Sequence, residues 1–236
     1  MPRFSPAPAA LALAEAWRTG EFLAALPAPP GTARQGAAVL AALLTELDLP
    51  AVGFRALPDG TTGPLLESRL FASGTTLPAS ALPHATARAA VLFRLARALP
   101  ASATPYTARR VLGALGSAQA AIDLGAWRTQ AEPAALPARL ADLGGLGAVV
   151  LATPPRAGAA APDPAALRLA WNGGKLQALD ARPLLLAAAE AARLAGGLPA
   201  GAALLAVGLV PPMVLATGES VSCRIVGLGS AAAALA

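Results

Sequence analysis

The sequence predicts an α+β fold. Two observations predict it. Helical periodicity opens the chain, and short apolar runs bounded by turn residues fill most of the rest, with two helices inserted. No regular alternation of strand and helix appears, so a doubly wound parallel sheet is not expected. A third observation sets the class more broadly: of 236 residues, 56% are hydrophobic and 13% charged, enough apolar surface to offset the entropy of ordering a chain.

The elements follow in order. Ser5-Pro6 can cap a helix running through Leu11, Leu13, Ala14 and Trp17 to Gly20. Arg34 to Leu47 carries Val39, Leu40, Leu43 and Leu44 on one stripe, with Pro50 beyond its end. Ala51 to Ser80 is expected to be irregular, with Asp59-Gly60 and Gly63-Pro64 as turn signals. Arg88 to Arg97 fits a strand stopped by Pro100, and Thr107 can cap a short helix reaching Leu115. Ala121 to Trp127 and Leu146 to Leu151 fit strands, and Thr153 to Pro164 fits a surface loop. Asn172-Gly173-Gly174 is a hairpin signal between Leu167–Trp171 and Leu176–Leu179. Asp180 and Pro183 open a helix that Gly196-Gly197 closes. Ala202 to Leu209 and Ser220 to Val226 are the last strands predicted, with Gly227-Leu228-Gly229 as a turn.

Several chemistries are excluded. One cysteine, Cys223, and one histidine, His84, rule out a disulfide framework, a Cys-rich zinc site and any site needing two histidines. No GxSxG, no phosphate-binding Walker loop and no correctly spaced GxGxxG is present. The net charge of +5 suggests nucleic acid, but the arginines are scattered and aromatics are 4%, so no nucleic-acid partner is expected. No stretch provides the roughly 20 apolar residues that a bilayer span needs. The alanine-rich start has a faint signal-peptide character, but Glu15, Arg18 and Glu21 interrupt it, which favours an amphipathic helix and a cytoplasmic protein.

Four stretches, taken in order, resemble the 2-keto-4-pentenoate hydratase and 4-oxalocrotonate decarboxylase family of the fumarylacetoacetate hydrolase superfamily. They are Leu13-Ala-Glu-Ala-Trp-Arg-Thr-Gly20; Arg88-Ala-Ala-Val-Leu-Phe-Arg-Leu-Ala-Arg-Ala-Leu-Pro100; Pro105-Tyr106-Thr107 with Ala121-Ile122-Asp123; and Val210-Pro211-Pro212 through Gly218-Glu219-Ser220-Val221 to Gly227-Leu228-Gly229-Ser230. The resemblance implies a mixed β-roll or barrel over residues 71–236 and a helical N-terminal part over residues 1–70. It also implies a site: the family holds Mg²⁺ or Mn²⁺ on three carboxylates, two of them from a Glu-x-Glu strand pair, and the metal polarises a 2-oxo acid.

Here the Glu-x-Glu positions are Arg88 and Ala90, and the third position is Asp123. The family's lysine after a Gly-aromatic pair stands as Arg55 in Gly53-Phe54-Arg55. Its Asp-Asn-x-Ser stretch stands as Asp142-Leu143-Gly144-Gly145, and its Thr-Gly-Ser as Ala206-Val207-Gly208. The chain is therefore identified as a degenerate member with no metal cofactor expected. Arg88 should take the cation's place beside Asp123, since an unpaired buried arginine costs several kcal/mol. The pair is either a closed salt bridge or, with Arg55, a pocket for a small carboxylate. Three functions are carried forward: a non-catalytic accessory subunit or small 2-oxo acid binder, in a homo-oligomer or beside a related enzyme subunit; an active hydratase or decarboxylase with a site rebuilt around Arg55, Arg88 and Asp123; and, least favoured, a nucleic-acid binder. Glu67 and Asp142 are the acids that could rebuild a metal site. His84 is expected on a surface loop, Cys223 in the core, Tyr106 and Trp127 in packing, and Lys175 in a solvated turn.

Overall fold

The computed structural model describes residues 4–82, 84–129, 132–154 and 160–236. Its elements are α1 (Ala7–Thr19), α2 (Ala33–Leu47), β1 (Ala51–Ala56), β2 (Thr62–Leu66), β3 (Leu70–Ala72), β4 (Thr75–Leu77), β5 (Thr86–Leu95), β6 (Leu99–Pro100), α3 (Ala108–Ala114), β7 (Leu115–Gly125), α4 (Leu136–Ala141), β8 (Leu146–Leu151), β9 (Leu167–Trp171), β10 (Gln177–Leu179), α5 (Arg182–Leu194), β11 (Gly197–Leu198), β12 (Ala203–Val207), β13 (Met213–Val214), β14 (Ser220–Ile225) and β15 (Gly229–Leu235). The fold is α+β.

The main sheet is mixed and runs β2-β1-β12-β5-β7-β8-β3, with β13 also on β5. A second sheet, β10-β9-β14-β15-β4, packs against β7 and β8. Strand periodicity divides the main sheet's two faces. Ala87, Ala89, Val91 and Phe93 of β5, with Ala120, Ile122 and Leu124 of β7, enter a core shared with the second sheet and α5. Ala90, Leu92 and Ala121 enter the other core, closed by Leu13 and Ala14 of α1 and Val39 and Leu43 of α2. Arg88, Asp123 and Arg55 alternate onto that second, helix-facing side.

Ala51 to Ser80 departs from the irregular segment expected. It forms β1 to β4, and β1, one strand in from the edge, pairs parallel with β12. Asp59-Gly60 does form the turn between β1 and β2, with Gly60 at φ 82°, while Gly63-Pro64 lie inside β2. A Cβ on Gly53 would lie 2.1 Å from the Ala203 carbonyl oxygen, so glycine permits the close approach of the two strands. Pro64 lies in β2, at the sheet edge, where a missing N–H breaks no central ladder.

Smaller corrections concern element ends. The N-cap of α1 is Pro6 rather than Ser5, with no side-chain cap bond. The N-cap of α5 is Ala181, while the Asp180 carboxylate accepts from the Arg182 backbone N–H at 2.9 Å. β7 begins six residues before the predicted Ala121, and α4 was not predicted. Thr107 does cap α3, accepting from the Arg110 N–H at 3.2 Å. The centre of the predicted Thr153–Pro164 loop, residues 155–159, lies outside the described residues. Among the described residues no helix is long and apolar enough to cross a membrane.

Candidate functional site

Arg88 and Asp123 are directly opposed in the β5–β7 ladder. Cross-strand neighbours on one face have side chains within reach of each other, and the Arg88 Nη1 lies 3.5 Å from Asp123 Oδ2. The sequence assigned Arg88 to the cation's place, but Arg55 takes the tighter contact. Its Nη1 donates to Asp123 Oδ1 at 2.5 Å, and its Nη2 donates to the Gly144 carbonyl. Neither Arg55 nor Asp123 has any exposed surface.

The reach of Arg55 depends on the shape of the sheet. β1 is separated from β7 by β12 and β5, which in a flat sheet puts them about 14 Å apart at the usual strand spacing. One arginine side chain standing off a flat sheet would not bridge that gap. The curl of the sheet closes it, and the small Ala90, fully buried on the same face, takes little of the enclosed space.

Two glycines complete the arrangement. A Cβ on Gly125 would lie 2.1 Å from Arg88 Nη1, so the guanidinium occupies space that glycine leaves free. Leu143, Gly144 and Gly145 follow one another at φ of 52°, 64° and 72°, and this left-handed run presents the Gly144 carbonyl to Arg55. Burial pushes the Arg55 guanidinium below its ordinary pKa; Asp123 opposes the shift and Arg88 adds to it.

A second charge pair, not singled out in the sequence, stands beside the first. The Asp142 carboxylate accepts from the Arg128 backbone N–H at 2.8 Å and from Arg128 Nη1 at 3.2 Å. Arg128 also donates to the carbonyls of Ala126 and Leu146. Asp142 is fully buried, and desolvation raises its pKa against the pull of Arg128. It is thus committed to Arg128. Glu67 is exposed on a 3₁₀ turn and belongs to neither pair.

The remaining candidates fall outside both pairs. His84 is exposed, in a left-handed conformation at φ 53°. Cys223 is buried in β14, its thiol pushed up to about 12 by desolvation. The Tyr106 hydroxyl donates to the Leu99 and Pro100 carbonyls at 3.0 and 2.7 Å, a packing role. Lys175 is exposed in the β9–β10 turn. Trp127 packs its ring over Gly145, where a Cβ would be 2.6 Å away.

Arg88 differs from Arg55 in keeping access to solvent. It is 9% exposed and lines an open cleft with Leu57, Asp59, Thr86, Glu132 and Gly208. The two acids there face another cation: Arg139 Nη1 lies 2.6 Å from Asp59 and 3.8 Å from Glu132.

Solved structures with this architecture exist. Two structures of 4-oxalocrotonate decarboxylase from Pseudomonas putida G7, one complexed with calcium and acetate and one with magnesium and adipate, superpose with TM-scores of 0.76 and 0.77. Each match is 17% identical in sequence and covers 96% of this chain and 97% of that one. The chain has the 4-oxalocrotonate decarboxylase fold. The resemblance read from the sequence therefore holds for the fold. The 5-carboxymethyl-2-hydroxymuconate delta-isomerase from Mycobacterium smegmatis aligns over 72% of this chain and 67% of its own, at 17% identity and a TM-score of 0.51. No protein-family model matches the sequence, and no curated protein matches it.

Within this decarboxylase fold, the residues at the expected metal positions do not fit a divalent cation. Mg²⁺ and Ca²⁺ need several oxygen ligands. Asp123 supplies one carboxylate, and each of its oxygens faces a guanidinium. Among the described residues no three His, Cys, Asp or Glu side chains converge as a metal-binding group.

Proposed function

We propose that this protein is a metal-free variant of the hydratase and decarboxylase architecture that binds a small carboxylate of the 2-oxo acid class without turning it over, as an accessory subunit beside a copy of itself or a related enzyme. One observation carries the reading: two guanidiniums share the single carboxylate of Asp123, leaving one net positive charge, and the more loosely held of the two opens to a cleft. Arg88 makes two contacts at 3.5 Å, to Asp123 and to the Thr86 carbonyl. A planar guanidinium has five donors, so Arg88 retains a face with which to take a carboxylate in a forked geometry. Asp59 and Glu132, the acids that could compete for it, are engaged with Arg139.

Calorimetry with Mg²⁺ and Mn²⁺, with and without oxalate, tests this. The expected result is oxalate binding that needs no metal and is lost in Arg88→Ala. Tight binding of either metal alone overturns the reading, as does turnover in a panel of 2-oxo acids, which would make the protein a metal-free lyase.

A further inference from the structure

A separate cleft opens between the C-terminal end of α1, the chain after β2 and Ala126–Arg128. It is lined by Trp17, Phe22, Arg69, Ser80, Trp127 and Arg128, and holds about 100 Å³. The Arg69 guanidinium sits 4.0 Å from the centre of the Trp17 ring, and the Arg128 guanidinium sits 4.5 Å from the same centre. Two cations are thus gathered on one aromatic ring.

Their surroundings are unequal. Arg128 is matched by Asp142 and by two carbonyls. Arg69 is half-buried and, among the described residues, has no hydrogen-bond acceptor and no acid partner; its guanidinium stacks on the Trp17 ring. A cation–π contact leaves the N–H donors at the rim of the guanidinium free. Burial and the nearby Arg128 charge both hold Arg69 below its ordinary pKa, the electrostatic counterpart of a cation lacking its anion.

We infer that the Arg69–Trp17–Arg128 cleft is a binding site for a small oxoanion, a carboxylate or phosphate group, held by the free Arg69 donors and flanked by Trp17 and Trp127. The space suits such a group. About one water-sized sphere of such space admits a water, so a cleft of about 100 Å³ has room for acetate or inorganic phosphate. The site is independent of the Arg88 cleft, which has different walls.

The probes are acetate and inorganic phosphate, read by tryptophan fluorescence at constant ionic strength against a chloride control. Trp17 and Trp127 report directly. The wild-type protein shows a saturable change with one or both probes and none with chloride. Response to acetate alone assigns the site to carboxylates, and response to phosphate alone assigns it to phosphate groups. Arg69→Gln weakens binding by about tenfold or more, the usual loss for a charge-assisted contact, while Arg168→Gln, at an exposed arginine of β9, leaves it unchanged. Arg69→Lys keeps the charge but loses the fork, and weakens binding by a smaller factor; it serves if the glutamine variant does not fold. The inference is overturned if the wild-type signal does not saturate, if Arg69→Gln or Arg69→Lys binds as wild type does, or if Arg168→Gln abolishes the response instead.

Discussion

Arg55 and Asp123 meet at 2.5 Å with neither side chain exposed. Burying two charges costs several kcal/mol per ion unless the pair and its hydrogen bonds offset it. Asp123→Asn would leave the Arg55 charge uncompensated in the core. The expected loss is about 3–5 kcal/mol in urea denaturation. Replacing both partners with apolar residues, Arg55→Met with Asp123→Leu, should cost less than Asp123→Asn alone. A loss under about 1 kcal/mol in the single variant would show that the pair carries little.

Gly125 tests the Arg88 pocket from the backbone side. A Cβ there collides with the end of a flexible side chain, so Gly125→Ala should fall at the low end of the about 1–3 kcal/mol that overpacking costs. It should still displace Arg88 and weaken oxalate binding as Arg88→Ala does. Calorimetry beside a thermal melt separates the two effects.

Much of this arrangement was legible in the sequence, and what was missed has physical reasons. The family resemblance singled out Arg88, Ala90 and Asp123, and a period of two explains why Arg88 and Ala90 share one face of β5. The tight role of Arg55 was only half legible. Its strand carries Gly53 and a charge, and both argue against a buried strand until the parallel partner β12 is known. Arg128 and Asp142 sit 14 residues apart across a helix and a turn, and no local pattern announces such a pair. Arg69 and Trp17 are farther apart still, and only the docking of α1 brings them together.

Gly145 combines a φ of +72° with a Trp127 ring 2.6 Å from where its Cβ would be. Gly145→Ala therefore adds backbone strain to a clash with a rigid group. The expected destabilisation is about 1–3 kcal/mol or more. Near-UV circular dichroism should report a reoriented Trp127, and an unchanged spectrum with wild-type stability would contradict this placement.

Cys223 should be chemically silent. A thiol whose pKa is pushed up to about 12 stays protonated through neutral and mildly alkaline pH, and the thiolate is the reactive species. A thiol-specific disulfide reagent should leave the native protein unlabelled and modify one equivalent after unfolding. Rapid labelling of the native state would place the residue in a different environment.

The turn from Asp142 to Gly145 serves both charge pairs at once. Asp142 accepts from Arg128, Gly144 accepts from Arg55, and the Gly145 carbonyl takes the Ala126 N–H at 3.1 Å. Opening this turn would therefore take a hydrogen-bond partner from both arginines. Slow hydrogen–deuterium exchange at the amides of Ala126, Arg128 and Gly145 should follow one shared rate, because a single latch closes over two locks.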